Sequence, residues 1–301
     1  MAGFRQAIEV AVAVVRDANG RLLMAERPAG KRGAGYWEFP GGKVEPGETA
    51  ATAAARELHE ELGLRAEALV PLRAYTHEFP SARIRLHPFL VTRWQDTPHG
   101  REGQRFAWVD QARPDTMGLV LASHARLLTV MALPRRLVRV DAAGPLTPGR
   151  VQAALRHGFR GFLLDAARLP PGQQGLLARR MAGLLPPRAM LMLRGSPQAA
   201  AQAGVAACVA PLSESPAPGG QAGLPLFGAV CADAATIETA VTAGVDFIVL
   251  DGDRGTKVHR IPGIAMRCYC PCAEAAAGQG DVIVDLDRLL AGTHPTGKEA
   301  A

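Results

Sequence analysis

Three glutamates in the first half of the chain are spaced so that one flank of a helix would carry them together. Residues 49–62 place Ala and Leu at helical intervals, and Gly63 supplies a stop signal. At roughly 100° per residue, Glu57, Glu60 and Glu61 share one flank of this helix, and Glu61 borders its apolar stripe. Like charges this close are unfavourable unless a cation neutralises them, and carboxylate oxygens select Mg²⁺ or Mn²⁺. The spacing therefore predicts a divalent-metal site.

Neighbouring residues would brace this site. Arg56 precedes Glu60 by four residues, the spacing of a helical ion pair, and can also reach back to Glu48 in the preceding loop. The Gly41–Gly42 pair lets the backbone approach a ligand closely, so that its carbonyl groups can join a metal shell. Helical spacing alone would equally describe a solvated, Glu-rich surface helix stabilised by such pairs.

The complete pattern favours the metal site over the surface helix. Gly42 is followed after five residues by Glu48, and after seven more by Arg56-Glu57-Leu58-His59-Glu60-Glu61-Leu62-Gly63-Leu64. This arrangement resembles the signature box of the Nudix hydrolases at every defined position. The resemblance implies an α+β Nudix fold for residues 1–133, in which a mixed sheet lies between helices.

The resemblance extends to the MutT branch of this family over about residues 7–133, and it assigns roles to further positions. It implies a Mg²⁺ site, at which Mn²⁺ is a possible substitute, and a nucleoside triphosphate substrate. The implied metal ligands are Gly41, Glu57, Glu60, Glu61 and Glu102. The implied catalytic residues are Glu57, as general base, with Glu60 and Arg56. The implied substrate-binding residues are Arg27, Glu38, Phe39, Pro40, Phe79, Arg83 and Ser123.

The reaction implied by the resemblance is attack of water on the β-phosphorus, which releases a nucleoside monophosphate and pyrophosphate.

Two departures from the MutT pattern concern the base. MutT enzymes read oxidised guanine with an Asn where this chain has Ser123, whose hydroxyl makes fewer hydrogen bonds than an amide. They also carry an arginine where Ala82 stands here. Arg83 is the candidate replacement, although a one-residue step along a strand reverses the face.

Secondary structure in the first domain follows from periodicity and turn residues. Residues 8–16 and 22–26 are expected to form a β-hairpin around the turn residues 17–20. Two more strands are expected at residues 69–79 and 84–94, and a closing helix near 121–133.

The composition limits the location and the partners. Among 301 residues with a net charge of +6, positive charge comes from 30 Arg and 4 Lys, with no run of five. Arginines scattered in this way predict no stable nucleic-acid partner. No apolar run approaches the roughly 18 residues that span a bilayer, and no signal peptide is recognisable. We therefore expect a cytoplasmic protein without a membrane partner, existing as a monomer or a weak oligomer.

The second half of the chain has a different pattern. From residue 136, short apolar runs alternate with Ala/Leu-rich stretches, as in βα units around a parallel sheet. Strands are predicted at residues 137–140, 162–164, 190–193, 207–210, 228–231, 247–250, 263–266 and 282–284. We therefore expect an α/β domain resembling a shortened TIM barrel at residues 136–291, and a disordered tail at 292–301.

This second domain weakly resembles the thiamine-phosphate synthase/TenI barrel. The residues that bind diphosphate and phosphate in that family are missing, because the third strand is followed here by Arg194-Gly195-Ser196. A degenerate barrel with a structural, regulatory or ligand-binding role is expected. Two features remain open: residues 251–254 are a turn or a ligand site, and Cys268, Cys270 and Cys272 are reduced thiols or metal ligands.

The leading functional prediction is a Mg²⁺-dependent pyrophosphohydrolase that clears oxidised purine triphosphates such as 8-oxo-dGTP. The alternatives are hydrolysis of another nucleoside diphosphate-linked substrate and a nucleotide-sensing role without catalysis. Thiamine-phosphate synthesis by the second domain would require the phosphate-binding residues that this sequence lacks.

Overall fold

The computed structural model describes residues 7–80, 82–110, 118–215, 225–250, 267–270 and 281–287. Internal contacts divide the chain into two compact units, with the change between Ala132 and Leu133. Within the described ranges, no helix is both long enough and apolar enough to cross a membrane. Four predicted features lie outside these ranges: the 251–254 segment, the strand at 263–266, Cys272 and the tail at 292–301.

The first unit combines short strands with two helices. Its strands are β1 (Ile8–Val15), β2 (Leu22–Glu26), β3 (Trp37–Glu38), β4 (Gly41–Lys43), β5 (Arg65–Pro71), β6 (Tyr75–Phe79), β7 (Ala82–Gln95) and β8 (Phe106–Val109). Its helices are α1 (Ala50–Leu62), between β4 and β5, and α2 (Ala122–Met131), after β8.

Strand β1 is central to a mixed sheet. The sheet runs β4-β1-β7-β5, and β6 pairs with another part of the long β7. β1 is parallel to β7 and antiparallel to β4, whereas β5 and β6 are antiparallel to β7. β3, β2 and β8 form a separate three-stranded sheet. The predicted mixed sheet is therefore confirmed.

Alternation along β1 gives the mixed sheet two apolar faces. One buried cluster includes Ala11, Ala13 and Val15 of β1 with Leu58 and Leu62 of α1. The other includes Val12 and Val14 of β1 with Trp37, Phe39 and Leu127 of α2. Because successive strand residues point to opposite faces, the sheet lies between the two helices.

Two predictions about these strands were wrong in detail. β1 and β2 do not form a hairpin ladder and meet only at an Arg16–Leu22 bridge. β1 lies between β4 and β7, and its residues from Ala11 to Val15 are fully buried. β2 pairs instead with β3 and β8. The strand predicted at 69–79 is two strands, β5 and β6. The break follows Pro71, which has no amide proton with which to continue the ladder.

The second unit alternates strands and helices. Its strands are β9 (Arg136–Asp141), β10 (Gly161–Asp165), β11 (Met190–Arg194), β12 (Ala207–Pro211), β13 (Leu226–Cys231), β14 (Phe247–Leu250), β15 (Arg267–Cys270) and β16 (Asp281–Asp285). Its described helices are α3 (Pro148–Arg156), α4 (Pro171–Ala182), α5 (Pro197–Ala203) and α6 (Ala234–Thr242). Seven predicted strands coincide with these elements; the strand predicted at 263–266 lies outside the described residues, and β15 is described directly after it.

The eight described strands of the second unit pair in parallel and close into a ring, because β16 pairs with β9. Phe162 and Leu164 of β10 belong to the same large buried cluster as Ala178 and Met181 of α4. A cavity of about 650 Å³ lies at the carboxyl ends of β11, β12 and β13, and Arg194, Ser196 and Glu214 are among its lining residues.

Candidate functional site

Helix α1 holds the three predicted glutamates on one flank. The Thr49 side chain caps its first turn by accepting a hydrogen bond from the Thr52 amide at 3.1 Å. At the other end, Gly63 takes a left-handed conformation with φ 71°, and its amide donates to the His59 carbonyl at 2.9 Å. The predicted helix is confirmed, and its Ala and Leu residues face the core. The caps and the buried stripe together fix which way the glutamates point.

A single guanidinium organises the start of the site. Arg56 Nη2 donates to Glu48 at 2.8 Å, and Nη1 donates to Glu57 at 2.9 Å and to Glu60 at 3.0 Å. Nη2 also donates to the Lys43 carbonyl at 3.1 Å. These bonds raise the pKa of Arg56, the bond to Glu48 being the largest cause. The predicted contacts of Arg56 with Glu48 and Glu60 are confirmed, so the loop before α1 is fixed to the helix.

The two glycines of β4 lie directly against the carboxylates. The Gly41 amide donates to Glu61 Oε2 at 3.2 Å. A Cβ on Gly42 would lie 2.1 Å from Glu57 Oε1, and a Cβ on Gly41 would lie 2.3 Å from the Ala11 carbonyl oxygen. At Gly41 the close atoms belong to the backbone of β1, so glycine is required there. At Gly42 they belong to the end of the Glu57 side chain, so a methyl group would fit only if the carboxylate moved from its place.

The site concentrates negative charge in a half-buried setting. Burial raises the pKa of Glu61 to about 8, and repulsion from Glu38, Glu57 and Glu102 adds to the effect. Burial also raises the pKa of Glu57 and of Glu38, although a neighbouring arginine opposes the shift in each case. Such a set of crowded oxygen donors is stabilised by a divalent cation, so its chemistry fits a hard metal ion.

Three of the predicted metal ligands are held in ion pairs. Glu57 and the half-exposed Glu60 pair with Arg56, and Glu102 pairs with Lys31 Nζ at 2.8 Å. In the described ranges, no three His, Cys, Asp or Glu side chains are grouped closely enough to hold a metal by themselves. The structure thus places Glu57 and Glu61 against the glycines of β4, and Glu61 is the one predicted carboxylate ligand without an ion pair among the described contacts.

Arg27 lies near the carboxylates and is already oriented. Its Nη1 donates to Glu38 Oε2 at 2.5 Å, and its Nε donates to the Arg32 carbonyl at 3.0 Å. Both partners are on the β2–β3 connection or on β3 itself. Arg27 and Glu38, both predicted to bind substrate, therefore form one ion pair at the end of β2.

Aromatic side chains occupy the α2 side of the sheet. The Phe39 ring is fully buried and stacks on His124 with a centroid distance of 5.9 Å and an interplanar angle of 19°. The half-buried Phe79 packs edge-on against His77 with a centroid distance of 4.5 Å. Of these two predicted substrate-binding residues, Phe39 lies in the core and Phe79 keeps an exposed part.

Ser123 is 3% exposed, at the start of α2. Its carbonyl accepts a hydrogen bond from the Tyr75 hydroxyl at 2.6 Å. Pro40, also predicted to bind substrate, is buried, and its carbonyl accepts from the Ala13 amide at 2.8 Å. These two residues are parts of the packed support beneath the site.

Arg83, the candidate replacement for the arginine missing at position 82, lies on the opposite face of β7 from Ala82. The β6–β7 register places Arg83 opposite Glu78 and Ala82 opposite Phe79. Arg83 Nε lies 3.6 Å from Glu78 Oε1, and both side chains are substantially exposed. Because the faces alternate along a strand, Arg83 points away from the side on which Phe79 and His77 lie.

Sequence reasoning missed two residues of this region, His124 and Lys31. His124 Nδ1 accepts a hydrogen bond from the Phe39 amide, which lies 85 positions away in the sequence. Lys31 reaches Glu102 from 71 positions away. No local spacing signals such contacts. The position of His124 directly after Ser123, in the stretch aligned with the base-reading loop, was the one available indication.

Comparisons with known proteins identify the family of the first unit. A model of the NUDIX domain matches residues 6–126. The 8-oxo-dGTP diphosphatase of Escherichia coli (strain K12) is 38% identical over 102 residues, which are 34% of this chain and 79% of that protein. The CTP pyrophosphohydrolase of the same organism is 40% identical over 126 residues, 42% of this chain and 93% of that protein. A solved MutT structure, from work on Aliivibrio salmonicida and Vibrio cholerae, is 30% identical with a TM-score of 0.37, and covers 42% of this chain and 97% of that chain.

Proposed function

The chain belongs to the Nudix family of hydrolases, which act on phosphoanhydride bonds, and on this premise we propose that its first unit converts nucleoside triphosphates to monophosphates and pyrophosphate. The observation that carries the proposal is the arrangement of Glu57 and Glu61 against the backbone of Gly41 and Gly42, with Arg56 bracing the helix that bears them. This geometry offers oxygen donors and a fixed cation in a half-buried setting.

Glu57, Glu61 and the Gly41 carbonyl would hold Mg²⁺ or Mn²⁺, with Glu60 and Glu102 as further ligands. Burial, with repulsion from neighbouring carboxylates, raises the pKa of Glu61 to about 8, and a nearby cation would favour its charged form, which supports this assignment. When bound, the metal neutralises phosphate charge and lowers the pKa of the attacking water.

The side chains of α1 have the remaining catalytic roles. Glu57 serves as general base and orients the water, and its own position is set by Arg56 Nη1 at 2.9 Å. Arg56 keeps its charge at all physiological pH values, so it holds Glu48, Glu57 and Glu60 in register throughout the reaction. Glu60 assists from the same flank of α1.

Arg27 supplies the positive charge for the phosphates, and its pairing with Glu38 fixes its direction before substrate arrives. Phe79 contacts the base. Ser123 lies where MutT enzymes read oxidised guanine with an amide, and its burial leaves little polar surface for that task. The proposed substrate is 8-oxo-dGTP, as for the relatives that carry the name 8-oxo-dGTP diphosphatase.

A second substrate has support of its own. The relative named CTP pyrophosphohydrolase is 40% identical over 126 residues, and the missing Asn removes the group that would favour a purine. Pyrimidine triphosphates such as CTP, or another nucleoside diphosphate-linked compound, are therefore the alternative. CTP would give the same products as 8-oxo-dGTP, a monophosphate and pyrophosphate, whereas a nucleoside diphosphate-linked compound would give a monophosphate and the phosphorylated remainder.

For the second unit we propose a degenerate TIM barrel of the TenI type that binds a small molecule. The closed ring of eight parallel strands supports the fold, and the cavity of about 650 Å³ at the carboxyl ends of β11–β13 supports the binding role. Arg194 in this cavity is paired with Asp165 at 3.3 Å, so the cavity is not strongly cationic on this side.

The experiment that tests the proposed function is hydrolysis by the purified chain with Mg²⁺, followed as pyrophosphate release from triphosphates and as nucleoside monophosphate release from nucleoside diphosphate sugars. The panel contains 8-oxo-dGTP, dGTP, CTP and nucleoside diphosphate sugars at matched concentrations, and a Glu57→Gln variant is the control. Hydrolysis that is strongest for 8-oxo-dGTP supports the sanitising role, and hydrolysis that is strongest for CTP supports the second substrate. Absence of hydrolysis across the panel, with Mg²⁺ bound, would refute catalysis and favour a sensor.

A further inference from the structure

The turn between β3 and β4 contains a buried amide that the strands do not satisfy. Trp37 exchanges hydrogen bonds with the segment before α2: its amide donates to the Leu119 carbonyl at 2.8 Å, and its carbonyl accepts from the Leu121 amide at 2.9 Å. Phe39 is two residues further along the same edge, where the partner segment has already turned into α2. The segment before α2 therefore offers no carbonyl to the Phe39 amide.

A histidine ring fills that place. His124 Nδ1 accepts the Phe39 amide at 3.0 Å, and the ring stacks on the Phe39 side chain. His124 is 4% exposed, and burial lowers its pKa to about 3. The ring is thus neutral, and because Nδ1 accepts, the proton resides on Nε2. A buried amide without such an acceptor is costly, so the contact fixes the position of Phe39.

The residues that follow Phe39 in the chain contact the carboxylates of α1, so the position of Phe39 affects them. The Pro40 carbonyl accepts from Ala13, the Gly41 amide donates to Glu61, and Gly42 lies against Glu57 without room for a Cβ. A shift of Phe39 would therefore move the backbone that touches both glutamates.

We infer that His124 is a positioning residue, which holds the β3–β4 turn so that Gly41 and Gly42 meet the carboxylates of α1. The inference rests on the proposed function for its catalytic consequence. It concerns a residue that touches neither the phosphates nor the glutamates, and it acts through one hydrogen bond.

Three substitutions test this inference. His124→Asn keeps an acceptor at the place of Nδ1, His124→Gln moves the acceptor one bond outward, and His124→Leu removes it. Tyr75→Phe is the matched control, because it deletes a buried hydrogen bond to the neighbouring Ser123 carbonyl without affecting Phe39. The measurements are Mn²⁺ binding by electron paramagnetic resonance in the absence of substrate, kcat and KM separately, and Tm.

We expect His124→Leu to weaken Mn²⁺ binding and to lower kcat by about 10-fold or more, the usual effect of removing a group that orients metal ligands. His124→Asn should restore both values to within about 3-fold of the parent chain, with KM little changed. Tyr75→Phe should lower Tm while leaving Mn²⁺ affinity and kcat unaltered. If the Leu variant does not fold, weaker Mn²⁺ binding by the Gln variant than by the Asn variant carries the same conclusion.

The inference is overturned if Asn and Leu, or Asn and Gln where Leu does not fold, bind Mn²⁺ equally well, or if Tyr75→Phe has the same effect as the loss of His124. A parent chain that binds Mn²⁺ but hydrolyses no nucleotide would refute the proposed function instead. The Mn²⁺ comparison among the variants would then still decide the role of His124.

Discussion

Replacement of Gly42 by Ala changes one methyl group at the point where β4 meets the carboxylate of Glu57. The added Cβ would lie 2.1 Å from Glu57 Oε1, 2.4 Å from its Cδ and 2.7 Å from Oε2. The clash is with the end of a side chain rather than with backbone. The fold can therefore accept the methyl group if the carboxylate retreats from its place beside Arg56.

The size of this retreat follows from the contact distances. Ordinary van der Waals contacts of a Cβ begin at 3.4 Å, so the nearest carboxylate oxygen must move by roughly 1 Å. A displacement of this size in a reacting group costs about 100-fold in rate, which corresponds to about 2.7 kcal/mol of transition-state stabilisation. Because Glu57 is proposed as the general base, the loss of rate should appear mainly in kcat and less in KM.

The assay is steady-state release of pyrophosphate with saturating Mg²⁺, combined with thermal unfolding of each variant. Gly42→Ala should reduce kcat by about 100-fold. Its Tm should change by no more than a few degrees. Gly149→Ala is the control, since the same methyl group in α3 meets nothing within 4 Å. A Gly42→Ala variant that turns over at the parent rate would refute the proposed placement of Glu57.

Three further predictions concern residues around the same site. Gly41→Ala places a methyl group 2.3 Å from the Ala11 carbonyl oxygen, a backbone atom that cannot move aside, so Tm should fall by roughly 10 °C or more; an unchanged melting curve would contradict this. Arg56→Lys keeps the charge but loses the fork that holds Glu48, Glu57 and Glu60, and kcat/KM should fall by about 100-fold, whereas retention of activity in the same assay would show that charge alone suffices. Glu61 has a pKa of about 8 when folded and 4.5 otherwise, so the folded state holds its proton more tightly. The unfolding free energy of the metal-free chain should therefore decrease as pH rises from 4.5 to 8. Urea titrations in EDTA should show a flatter dependence for Glu61→Gln, and identical slopes would argue against this pKa.

The sequence was most informative where chemistry and local structure coincide. Helix α1, its glutamates and the bonds of Arg56 to Glu48 and Glu60 all lie within 15 residues, and periodicity with capping residues is sufficient to predict such a segment. The strands of the second unit could be predicted equally well, because buried parallel strands are short apolar runs between turn residues.

Contacts between distant segments could not be predicted in this way. The partners of β1 depend on both of its edges being covered, which a hairpin pattern at 8–26 does not reveal. The direction of Arg83 depends on the register of β6 with β7, and one residue of slip reverses it. His124 and Lys31 reach their partners only because the folded chain brings those segments together. Periodicity describes a single segment, so it cannot predict contacts between distant segments.

The most direct test of the central claim is hydrolysis of 8-oxo-dGTP and of CTP in water enriched in ¹⁸O, with Mg²⁺, followed by mass analysis of both products. Attack at the β-phosphorus predicts equal amounts of monophosphate and pyrophosphate, with the label in pyrophosphate, and no such products from the Glu57→Gln variant. Label in the monophosphate, release of orthophosphate, or no hydrolysis of either nucleotide would contradict the account.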